Sequence, residues 1–154
     1  MKDPEFFKRV IEDLEKSKDD PVMMSIFRRA ASRTLEHRAY RYLVRWVNIT
    51  YDRDRIVMLC IATCYAIHKN HSEKALSLGA SLKLLANSRG GTDSFSSRFM
   101  RVIGYDLEAV CHYLPILIQS MRDIEINFEH LFKDLWYWEN NDIARRAWSQ
   151  DYWG

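Results

Sequence analysis

DRDRIVMLCIATCYAIHK, residues 52–69, is the stretch that decides the fold. Its middle, Ile56 to Ile67, is apolar nearly all round. A surface helix is apolar along one stripe, whereas a helix apolar on every side is enclosed by other elements. The run is far short of the roughly 20 residues a membrane span requires. Residues 52–69 are therefore expected to form the central helix of an all-α protein, with Asp52 capping its first turn.

Towards the N-terminus, Asp3-Pro4 and Asp20-Pro21 read as two helix starts, since aspartate caps free N–H groups and proline fits the first helical position. Phe6, Phe7, Val10, Ile11 and Leu14 follow a 3.6-residue period between Pro4 and Lys18. A second helix begins at Pro21 and runs into Arg28. Tyr40, Leu43, Val44 and Val47 recur at i, i+3, i+4 and i+7 and predict a third. Towards the C-terminus, SLGASLKLLANS (77–88) reads as a short helix and RGGT (89–92) as the clearest loop, with Asp93 capping the next helix. Further helices are expected in DSFSSRFMRVIG, DLEAVCHYLPILIQSM, NFEHLFKDLWYWE and DIARRAWSQDYW, with Pro115 kinking or ending the second of these. No segment alternates with a period of two. The expectation is a bundle of eight to nine helices in one domain over residues 1–154, with RGGT as a hinge if there are two lobes.

The bulk numbers agree. The 154 residues are 47% hydrophobic and 13% aromatic, enough to build a core, and only five glycines and three prolines interrupt them. Three cysteines, Cys60, Cys64 and Cys111, are too few for a disulfide framework. The charged start MKDPEFFKRVIEDLEK holds no apolar signal region, so a cytoplasmic protein with reduced thiols and no membrane partner is expected.

Net charge is only +2, so the distribution of charge matters more than its sum. Between Arg28 and Arg55 stand eight arginines against Glu36, Asp52 and Asp54. On a helix Arg38, Arg41 and Arg45 share a face, and Arg41 and Arg45 stand four apart with no acid beside them. Like charges at that spacing cost about 0.2–0.5 kcal/mol per pair, which a solvated face relieves with acids. Arg28 and Arg29 also lack acids at helical spacing. Arginine's planar fork suits phosphate, and Tyr40, Tyr42 and Trp46 among the arginines are placed to stack bases or to join the core. Two readings stand: an ordinary solvated face, or a nucleic-acid backbone site. Lys83, Arg98, Arg101, Arg145 and Arg146 extend the candidate set to other helices.

Catalytic patterns are absent: there is no Walker loop, GxSxG or HExxH. Cys60, Cys64 and His68 step by four along one helix but match no zinc spacing, and their surroundings are those of buried cysteines. Cys111 and His112 diverge by about 100 degrees around a helix and are not poised as nucleophile and base. No catalytic residue, metal or cofactor is expected. In the aromatic C-terminal stretch, Trp136 and Trp148 read as core, and Tyr152 and Trp153 as contact residues for a partner.

IFRRAA (26–31), YAIH (65–68), SLGASLKLLANS (77–88), SRFMRVIGYDLEAVCHYL (97–114) and INFEHLFKDLWYWENNDIARRAWSQDYW (126–153) together resemble the CasB family, the small subunit of the type I-E CRISPR Cascade complex. Asn127-Phe128 stands where the family commonly has Asp-Trp, Ser97 replaces an arginine, and Gly104 falls where some relatives carry a basic residue. The resemblance implies an all-helical, non-enzymatic protein that works in antiviral defence beside other Cascade subunits and a second copy of itself. It implies phosphate contact with the CRISPR RNA–target DNA hybrid and the displaced strand, without base readout. Arg28 and Arg29 match the family's arginine pair, and Lys83, Arg98, Arg145 and Arg146 match positions that tend to be basic. The alternative is a helical adaptor that binds protein only.

Overall fold

The computed structural model describes residues 2–154, and these are α-helical with no strand. The helices are α1 (Pro4–Lys16), α2 (Pro21–Arg29), α3 (Tyr40–Leu43), α4 (Asp52–His68), α5 (Leu78–Ser88), α6 (Ser96–Gly104), α7 (Leu107–Gln119), α8 (Phe128–Trp136) and α9 (Ile143–Trp153). Short 3₁₀ turns at Glu36–Ala39 and Thr92–Ser94 precede α3 and α6.

The α4 helix is the axis. It packs against α2, α3, α7 and α8, and every residue from Val57 to Ala66 except Leu59 is buried. Its N-terminal turn, with Asp52 and Arg53, is exposed, whereas His68 at its other end is buried. One contiguous core draws side chains from all nine described helices and is continuous past the glycine loop, where Gly90 and Gly91 take φ of +107° and +113°. A second layer forms where α5 lies on α9. Gly79 permits that approach, because a Cβ there would collide with the backbone of Trp148.

The first two caps form as expected. Asp3 accepts from the Glu5 N–H (3.0 Å), and Asp20 accepts from the N–H groups of Val22 and Met23 (both 3.1 Å). Asp52 instead lies inside α4 and pairs with Arg55 at 3.0 Å, leaving Tyr51 as a cap residue with no side-chain bond. Asp93 is likewise no cap. It sits in the 3₁₀ turn before α6.

Two larger departures have local causes. The third helix is a single α-turn, after which Arg45 and Trp46 N–H groups donate to Tyr42 and Leu43 (3.1 and 3.0 Å), tightening the chain to three-residue spacing. Val44 is consequently exposed although it fitted the apolar period. Pro115 does not end α7, which continues to Gln119. Proline lacks the N–H that Cys111 would otherwise receive, and both residues line the same cleft against α4.

The segments flanking α5 are tied across the bundle. His71 and Ile126 form an isolated parallel bridge, and His71 Nδ1 accepts from the Phe128 N–H (3.0 Å). Asn127 caps α8 through Oδ1 to the His130 N–H (3.0 Å), while its amide donates to the Ala75 and Glu73 carbonyls (3.2 and 3.4 Å).

Candidate nucleic-acid interface

Arg28 and Arg29 project from the last turn of α2 and are exposed. Cations there complement the partial negative charge of a helix C-terminus. Arg38 lies in the following 3₁₀ turn, Arg41 in α3 and Arg45 beyond it, so no single helix face carries the three. Tyr42 brings two of them together. The guanidinium carbons of Arg41 and Arg45 stand 4.7 and 5.2 Å from its ring centre, and Arg41 Nη2 donates to its hydroxyl at 2.6 Å. The Tyr42 ring is itself buried edge-on against Phe27, with centroids 5.5 Å apart. It is a platform for arginines and is not open to bases.

The other two aromatics are also engaged. Trp46 Nε1 donates to Asp13 (2.9 Å), and the Tyr40 hydroxyl donates to Glu36 (2.6 Å). Glu36, the one acid in residues 28–46, is further occupied by Arg55 at 3.9 Å. The arginines of this stretch are thus left without it.

A second group lies on α6 and α9, which pack together. Arg98 and Arg101 are exposed on α6, with the Arg98 guanidinium 5.3 Å from the Phe95 ring centre. Arg146 is exposed on α9. Arg145, its neighbour, turns inward. Its Nε donates to the Ile103 carbonyl (2.8 Å), Nη1 to Trp138 (3.1 Å) and Nη2 to Tyr105 (3.1 Å). Asp142 stands 3.5 Å from it as well. Arg145 therefore staples α9 to the α6–α7 junction. Lys83 on α5 donates to the Gly154 carbonyl at 2.8 Å. Among the described residues Arg28, Arg29, Arg38, Arg41, Arg45, Arg98, Arg101 and Arg146 form no ion pair, whereas Arg33, Arg53 and Arg55 do.

Arg122 is a further cation that sequence reasoning missed. It lines, with Arg28, a groove between α2 and the end of α7. In sequence it is followed by Asp123, which does not line the groove.

The cysteines are core residues. All three are buried, and Cys60 and Cys64 sulfurs are 4.0 Å apart. Burial pushes the Cys64 thiol well above its ordinary range, and the Cys60 contact together with burial does so for Cys111. Raised thiols are poor nucleophiles, and Cys60, whose thiol its Cys111 and Cys64 contacts pull down to about 5, is shut away from substrate by burial. His68 is spent on structure: Nε2–H donates to the Met121 carbonyl (2.8 Å), and Nδ1 accepts from the Asn70 N–H (3.2 Å). Among the described residues no group of three or more His, Cys, Asp and Glu is arranged to hold a metal. None of the described helices is long and apolar enough to cross a membrane. Tyr152, expected as a contact residue, is instead fully buried and stacked on Phe99 with centroids 4.3 Å apart, while Trp153 is 44% exposed.

Fold and surface together define an all-helical protein whose exposed arginines outnumber the acids placed to neutralise them. The chain belongs to the CRISPR-associated Cse2 family, also called CasB, whose model matches residues 24–153. A chain of a solved "CRISPR RNA-guided surveillance complex" has the same fold, with a TM-score of 0.79 and 21% identity over 97% of this chain and 92% of that one. No curated protein matches this chain. The family match leaves α1 outside it.

Proposed function

We propose that this chain is a non-catalytic subunit of a cytoplasmic CRISPR RNA-guided surveillance complex. It holds the CRISPR RNA–target DNA hybrid and the displaced strand by their phosphates. The observation that carries this reading is that eight of the ten candidate cations, Arg28, Arg29, Arg38, Arg41, Arg45, Arg98, Arg101 and Arg146, are exposed with no ion pair among the described residues. Family membership and the fold shared with a chain of a surveillance complex support it. Guanidinium forks bind phosphate oxygens without reading bases, which suits a complex in which guide pairing reads sequence. Tyr42 and Phe95 hold their arginines in place, so less side-chain entropy is lost on contact. Each contact is modest, and assembly with other Cascade subunits and a second copy adds them together. Arg145 has three donors committed to carbonyl oxygens and is the less available cation, whereas Lys83 uses one of its three N–H donors on Gly154 and keeps two for phosphate.

Fluorescence anisotropy with a labelled single strand and a duplex, over a salt series, tests this. Binding should weaken with salt, and the Arg28→Ala/Arg29→Ala/Arg98→Ala/Arg101→Ala variant should lose about 0.7 of log–log slope per single-strand phosphate contact removed. Failure to bind at low salt, alone and with the larger subunits, would leave a protein-only helical adaptor.

A further inference from the structure

We infer that the groove between the C-terminal ends of α2 and α7 seats one nucleotide of a bound strand, its phosphate gripped between Arg28 and Arg122. This rests on the nucleic-acid reading above and adds residues that it did not contain. Arg28, Ala31, Pro115, Ile116, Gln119 and Arg122 line the groove, and no acid does. Neither arginine forms an ion pair among the described residues. Two cations lining one groove without an acid make its potential positive and favour an anion there.

The rest of the lining identifies the anion. Ile116 is 62% exposed beside the two arginines. A free phosphate would leave that side chain in water, whereas the sugar and base edge of a nucleotide would cover it. Gln119 presents an amide that both donates and accepts, matching sugar and phosphate oxygens. The backbone under Arg122 is held in place. The Met121 carbonyl is bound by His68 (2.8 Å) and the Arg122 carbonyl by the Asn70 amide (3.5 Å).

Anisotropy with a labelled oligothymidylate and the full chain tests the assignment. Arg122→Ala should weaken binding roughly three- to tenfold and lower the log–log salt slope by about 0.7, with the melting temperature unchanged. Arg28→Ala should do the same. The double variant should lose less than the sum, because both side chains hold one phosphate. If Arg122→Ala leaves affinity and slope unchanged while Arg98→Ala/Arg101→Ala weakens binding, the groove assignment falls and the broader function stands. A lower melting temperature with unchanged slope makes Arg122 a helix-end residue and also overturns it. Inorganic phosphate should compete no better than chloride at equal ionic strength. Phosphate-specific competition that disappears in Arg122→Ala would mark a free-anion site instead. No binding by the parent chain at low salt, alone and with the larger subunits, overturns both readings.

Discussion

The guanidinium of Arg145 lies 4.4 Å from the Trp138 ring centre while donating to the Trp138 backbone carbonyl. Beside it, Arg146 is exposed without an ion pair among the described residues. Neighbours of one residue type thus divide between holding the fold and facing solvent. Arg145→Ala should destabilise the protein by on the order of 2–4 kcal/mol, because three carbonyls lose a charged donor. Arg146→Ala should leave stability unchanged and weaken strand binding. Urea denaturation paired with anisotropy separates the two. Equal stability of both variants would refute the division.

Asn127 caps α8 and donates its amide to two carbonyls of the segment before α5. Asn127→Asp keeps the acceptor for the His130 N–H but turns an anionic oxygen on the Ala75 and Glu73 carbonyls. The expected cost is about 1–3 kcal/mol. A urea midpoint equal to that of the parent would show that the cap alone matters.

Burial lowers the His68 pKa below its ordinary 6.5, against bonds to the Met121 and Ile124 backbone that pull it up. The neutral ring fits its site, since Nδ1 must stay free to accept from Asn70. Between the folded value and 6.5 the unfolded chain binds more protons, so stability is full above 6.5 and declines as pH falls through that window. His68→Gln should flatten this decline. Urea midpoints measured from pH 5 to pH 7.5 would show it, and identical slopes in both proteins would remove His68 as the cause.

Much of the fold was legible because apolar periodicity and aspartate–proline starts are local. The α4 helix declared itself by being apolar on all sides, and Asp3 and Asp20 by the prolines next to them. The third helix misled because Val44 satisfied a period that the tightened chain after Tyr42 does not keep. Tyr152 misled because closeness to the end of a chain says nothing about which neighbours cover a side chain. For the basic surface, the lack of an acid at helical spacing foretold that Arg28, Arg29, Arg41 and Arg45 form no ion pair among the described residues. Asp142, three residues before Arg145, was such an acid, but the bonds of Arg145 and Lys83 to backbone carbonyls had no sequence signal. A carbonyl is the same whichever residue bears it, so no letter in the sequence marks that kind of capture. Arg122 has no such signal either, since only the packing of α2 beside the end of α7 brings it to the groove that Arg28 lines.

An axis made from the middle of the chain also sets a timetable. During synthesis α4 is complete before α7 and α8, which cover it, have been translated. Until then its flanks are bare, and a nascent chain in that state is prone to aggregate. Fragments ending before Leu107 should therefore be insoluble. The cell must either elongate quickly through residues 107–136 or shelter the unfinished half-bundle.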